Sequence, residues 1–90
     1  MNESLRLLPF RPDQPPRRLV EHFPNEGGTI DALWRRDQEF REICRDYREA
    51  VASLRFYAER GIAEEEREHP IAELVEELEG EMFAAVERHL

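Results

Sequence analysis

From Phe40 to Tyr57 the apolar residues recur at alternating spacings of three and four: Phe40, Ile43, Tyr47, Ala50, Leu54 and Tyr57, with Cys44, Val51 and Ala58 beside them. That is the apolar stripe of a helix that packs against another helix. The spacing predicts a helix over residues 38–60, with Gly61 placed to take the left-handed conformation that ends it. A second stripe follows in Ile71, Leu74, Val75, Leu78, Met82, Ala85 and Val86. Pro70 suits the first position of that helix, where its missing N–H costs nothing, so the helix is expected over 70–89. Two helices of matched length with a short connection make an antiparallel hairpin. Its expected core is Phe40, Ile43, Tyr47, Val51, Leu54, Tyr57, Ile71, Leu74, Val75, Leu78 and Met82.

Ahead of the hairpin, Thr29 is a good N-cap, and Ile30, Leu33 and Trp34 form a small stripe of their own. Continuing the Phe40 register backwards would put Arg36 and Asp37 in the core, so a short helix over 29–36 is expected to end there, with Asp37 capping the long one. Asn25-Glu26-Gly27-Gly28 reads as a breaker. Residues 9–24 hold all but one of the six prolines. Because proline fixes φ and lacks a donor, residues 1–28 are expected to form an extended arm. Leu19, Val20 and Phe23 either project from that arm or lie back over the helices. The expectation is therefore an all-α fold: an antiparallel two-helix hairpin domain over 29–90, with a short preceding helix and a proline-rich N-terminal arm, completed by oligomerisation.

Size gives the reason for oligomerisation. A helix pair within 90 residues buries on the order of fifteen large side chains at about 1.5–3 kcal/mol each, against roughly 1–2 kcal/mol of backbone entropy per ordered residue. The balance is thin enough that a further surface is expected to complete it. The aromatic residues mark where. Trp34, Phe56 and Phe83 fall off the two stripes, and surplus aromatic surface on a small scaffold is the mark of an association face. The alternative is that the N-terminal arm covers them.

Charge narrows the partners. The formal net charge is −8, and it is not spread evenly. Residues 1–28 and 29–61 are each neutral, whereas 62–90 set ten acids against Arg67 and Arg88. An acidic last third repels nucleic-acid phosphate and anionic lipid. No run reaches the eighteen or so apolar residues of a membrane span, and the N-terminus has no signal-type apolar stretch, so a cytoplasmic protein is expected. The outer face of the long helix carries Glu39, Glu42, Asp46 and Glu49 among Arg41, Arg45 and Arg48, the pattern of a solvated face.

Candidate chemistry is sparse. The lone Cys44 excludes an intrachain disulfide framework. It lies beside the main stripe, where a packed thiol behaves as a small hydrophobe. His69 has Glu65 four residues before and Glu73 four after, a metal-ligand spacing on a helix, but the residue before a proline is pushed out of the α region. His22 and His89 have no partners that suggest catalysis. Pro12-Asp13-Gln14-Pro15-Pro16-Arg17 has the form of a ligand for an aromatic-lined groove, a pattern common by chance. No catalytic residue, cofactor or resident metal is expected.

The segment LWRRDQEFREICRDYREAVASL resembles the YdcH-like small bacterial proteins, a family of unknown function that forms helical hairpins. Asp37, Phe40, Ile43 and Tyr47 match its pattern of an Asp or Asn before a Phe, then Leu and Tyr three and seven residues on; Gln38 stands where a proline is usual. The resemblance covers residues 33–57 and implies a fold without catalytic residues.

The expected function is a non-enzymatic helical protein that works by self-association, most simply as a dimer, or by binding a protein partner. Two alternatives stand beside it. One is a regulatory adaptor whose acidic C-terminal helix docks on a basic protein, the other a metal-dependent sensor or enzyme using His69 with Glu65 and Glu73.

Overall fold

The computed structural model describes residues 14–59 and 65–90, with side chains in the last helix described from Pro70 onward. Among the described residues every regular element is helical: α1 Arg17–His22, α2 Gly27–Arg36, α3 Gln38–Glu59 and α4 Glu65–Glu87. The chain is all-α.

The first departure from the sequence expectation lies in the arm. Pro15 and Pro16 precede α1 and Pro24 follows it, which leaves Arg17 to Phe23 free of proline and able to turn. Pro24 then pushes Phe23 out of the helical region, to φ −122° and ψ 69°, and the helix stops. What holds the turn in place is burial: Leu19 is fully buried, while Val20 beside it is half exposed. The stretch is thus part of the folded body and not an extended arm.

The second departure is the start of α2, which begins at Gly27 behind an N-cap at Glu26, two residues before the expected Thr29. Two glycines in the first turn cost at most about 1 kcal/mol each, the value for a helix interior. Burying Ile30 and Leu33 on the face they help to form returns about 1.5–3 kcal/mol apiece, so packing wins.

The α2–α3 junction follows from one residue. Asp37 is the C-cap of α2 and donates its backbone N–H to the Leu33 carbonyl at 2.9 Å. Its Oδ1 accepts the Phe40 N–H at 3.1 Å, and its carbonyl accepts from Arg41 at 3.2 Å. One aspartate ends one helix and starts the next.

α3 spans 22 residues. α4 starts at Glu65, so Pro70 lies inside it and not at its first position. At the sixth position of the helix the proline forfeits one main-chain hydrogen bond and crowds the carbonyl one turn back, a cost of about 3 kcal/mol. Arg60 and Gly61, expected at the end of α3, lie outside the described residues.

α3 and α4 pack along their length. Phe40 and Cys44 share a cluster with Met82, Ala85 and Val86, Tyr47 lies level with Glu79, and Ala50 and Ser53 lie level with Leu74 and Leu78. The pairings run down one helix and up the other, so the two cross in opposite senses. The buried cluster is Leu19, Ile30, Leu33, Phe40, Cys44, Met82, Ala85 and Val86, with Phe23, Trp34, Ile43, Tyr47 and Phe83 packed against it.

All of it sits where α1 and α2 cover the start of α3 and the end of α4. Towards the other end Ala50 and Leu78 are still buried, but Val51, Leu54, Tyr57, Ile71 and Val75, all expected in the core, are only partly so. Leu74, also expected in the core, is 44% exposed. The reason is geometric. Two helices alone shield only the seam between them, and among the described residues no third element lies over this half.

Leu19 is the test of whether α1 belongs to the body. Leu19→Ala is expected to lower the unfolding free energy by about 2–5 kcal/mol, and Val20→Ala by no more than about 0.5 kcal/mol, in urea or thermal unfolding. Equal effects of the two would mean that α1 is not docked.

Candidate functional site

The features of this surface that carry charge and aromatic character gather where α1 crosses the other helices. Arg18 Nε lies 2.7 Å from Glu79 Oε2, which ties α1 to α4, and the Tyr47 hydroxyl is 3.5 Å from the same oxygen. That hydrogen bond and the field of Glu79 raise the Arg18 pKa further. Burial first, and then the Glu79 charge, raises the Tyr47 pKa.

Beside this latch the rings stack. His22 lies flat on Phe83 at 3.9 Å, Phe23 meets Phe83 edge-on at 5.7 Å, and the Arg18 guanidinium sits 5.4 Å from the Phe83 ring centre. Phe83 was expected on an association face. The structure instead covers it with α1, because the α1 turn brings His22 and Phe23 over the end of α4.

Trp34, the second expected face residue, is half buried against the core. Its carbonyl accepts a hydrogen bond from Arg41 Nη1 at 2.6 Å, which satisfies one of the open acceptors at the end of α2. The Arg48 guanidinium lies 5.7 Å from its ring centre and donates to the Gln14 carbonyl. Phe56, the third, is 47% exposed, with Tyr57 edge-on at 5.4 Å. The three rings do not form one face: Phe83 is covered, Trp34 is a rim residue, and Phe56 remains outward.

What does form is a groove of about 1420 Å³ along the outer side of α3, walled by Gln14 to Arg18, Val20 and Trp34. Its floor carries Arg41, Arg45, Arg48, Ala52 and Arg55. Phe56 falls on the same helical side, one turn beyond Ala52. Six arginines line this groove against Glu42 and Glu49. The α3 arginines were expected to be merely a solvated face. Their recurrence at spacings of three and four, continued by Ala52 and Phe56, was the available signal; the wall supplied by Gln14 to Val20 had none. A shallower cleft of about 370 Å³ lies on another side of α3, lined by Asp46, Glu49, Ala50, Ser53, Leu74 and Leu78.

Cys44 is fully buried beside Phe40 in the core cluster. Burial pushes its thiol from an ordinary 9.0 up to about 12, against a smaller opposing pull from Arg48. A thiol so placed stays protonated and inert. Among the described residues no group of three His, Cys, Asp or Glu side chains could hold a metal ion, and no buried polar side-chain atom lacks a partner. His69 and Glu65, proposed from their spacing with Glu73, lie outside the described side chains. His22 is taken up by its ring contacts, and His89 Nδ1 lies 3.0 Å from the Ala85 carbonyl. No helix among the described residues is long and apolar enough to cross a membrane.

Comparison with protein-family models, with curated proteins and with solved structures finds no match to this chain.

The thiol gives a pH test. Its folded pKa lies above its unfolded one, so between pH 9.0 and about 12 the unfolded chain has lost a proton that the native chain keeps. Stability should fall as pH rises through that window, by at most about 1.4 kcal/mol per pH unit from this group, and Cys44→Ala should flatten the slope. Iodoacetamide at about pH 8.5 should label the denatured chain and spare the native one. Rapid labelling of native protein would contradict the burial.

Proposed function

We propose that this chain is a non-enzymatic association module, a small helical protein that works by binding a second copy of itself or a protein partner. The observation that supports it is the uneven core: one half of the α3–α4 pair is covered by α1 and α2, while on the other half Phe56 and Leu74 stand 47% and 44% exposed. Phe56 leaves nearly half of its ring surface in water on the solvent side of a mixed-charge helix. Placed against another surface, it supplies the aromatic anchor on which interfaces depend. Kinship with the YdcH-like proteins over residues 33–57 would carry the same implication.

A second reading, an adaptor whose acidic last helix docks on a basic protein, draws support from the outer side of α4, where Glu73, Glu76, Glu77 and Glu87 are all exposed. Attraction of that kind weakens with salt.

Light scattering on the purified protein tests the first reading. The wild type is expected to be oligomeric at micromolar concentration, and Phe56→Glu to be monomeric with its stability changed by no more than about 0.5 kcal/mol. Phe83→Glu should instead unfold or strongly destabilise the chain, because its ring is packed under His22 and Phe23. A well-folded wild-type monomer under these conditions would remove self-association.

A further inference from the structure

We infer that the arginine groove along α3 is the docking site for the acidic outer face of α4 from a second copy of this chain, so that copies associate head to tail. The inference rests on the self-association reading above and identifies the two surfaces that meet.

The sign of the charge selects the occupant. The groove is rich in arginine, with Arg17, Arg45 and Arg55 exposed around it, on a chain whose formal net charge is −8. A second copy brings the required anion with it, already arranged on a helix. On α4, successive residues turn by about 100°. This puts Glu73, Glu76, Glu77 and Glu87 on the side away from the buried Leu78, Met82 and Val86.

Length and shape agree with charge. Arg41 and Arg55 are fourteen residues apart on α3, as are Glu73 and Glu87 on α4, and either run spans roughly 21 Å. In the middle of the acidic side lies Gly80, and a Cβ built there meets nothing within 4 Å. Packing inside this chain does not require a glycine at that position. A helix laid into a groove does gain from a bare backbone at its midpoint. Val20, Ala52 and Phe56 would give the charged contact an apolar lining.

The two faces also decide the kind of assembly. The groove is walled by α1 beside α3, and the acidic side of α4 faces away from the seam, so one copy carries the two halves of the contact on different surfaces. A contact between two different surfaces is heterologous, and it closes into a ring or runs on as an open chain according to the rotation between copies.

A charge-swap experiment on the full chain tests this. Arg45→Glu with Arg55→Glu removes the groove's excess of positive charge; Glu76→Arg with Glu77→Arg removes the excess of negative charge from the outer side of the helix. All four positions are exposed, and circular dichroism confirms folding before sedimentation velocity is run. Each double variant alone is expected to be monomeric at concentrations where the wild type associates, because its groove and its helix no longer carry opposite charge. An equimolar mixture should associate again, and wild-type association should weaken at least about tenfold between about 50 mM and about 500 mM salt. If the wild type associates but both double variants still do so alone, or if the mixture of folded variants stays monomeric, the groove assignment is overturned and self-association through another surface stands. If the wild type is itself monomeric at low salt, the self-association reading and this inference fail together.

Discussion

The structure depends on closing one end of a helix pair that cannot close itself. α3 and α4 present a seam, and a seam between two helices leaves the flanks of each apolar stripe in water. Leu19 from α1 and Ile30 and Leu33 from α2 cover it at one end, and there Phe40, Cys44, Met82 and Val86 are buried almost completely. The ion pair from Arg18 to Glu79 and the rings around Phe83 hold α1 against that end. Each of these contacts is modest alone, since an ion pair this open to solvent is worth little. The cover is held chiefly by the leucine it buries.

The stripes of α3 and α4 were legible in the sequence because period and composition agree there, and so was the aspartate between α2 and α3, because extending either stripe past it would have buried charge. The arm was not legible. Its prolines are real constraints, but they bracket the segment Arg17 to Phe23 without entering it, and the tertiary burial of Leu19 settles what propensity alone left open. Pro70 and the two glycines mislead in the same way: each carries a local cost of one to a few kcal/mol, and burial elsewhere in the helix outweighs it. Leu74 erred in the other direction. Its register is right for a core residue, but register says only which side it faces, not whether anything lies opposite.

The candidate site was legible only in part. Phe56 was visible as an aromatic off its stripe and remains outward in the structure. Phe83 and Trp34 showed the same signal and turned out to be covered or rimmed by chain distant in sequence. The groove requires three separated segments, Gln14 to Val20, Trp34 and the outer side of α3, to come together. No single stretch contains that pattern.

Asp37 has a mechanical consequence beyond its capping role. With one residue serving as the C-cap of α2 and the N-cap of α3, the joint holds no slack, and both of its helices are fixed by hydrogen bonds to that residue. Arg41 braces the joint from the far side through the Trp34 carbonyl. It is therefore a braced elbow, and the angle it sets lays Ile30 and Leu33 against Phe40 and Cys44 at the start of α3.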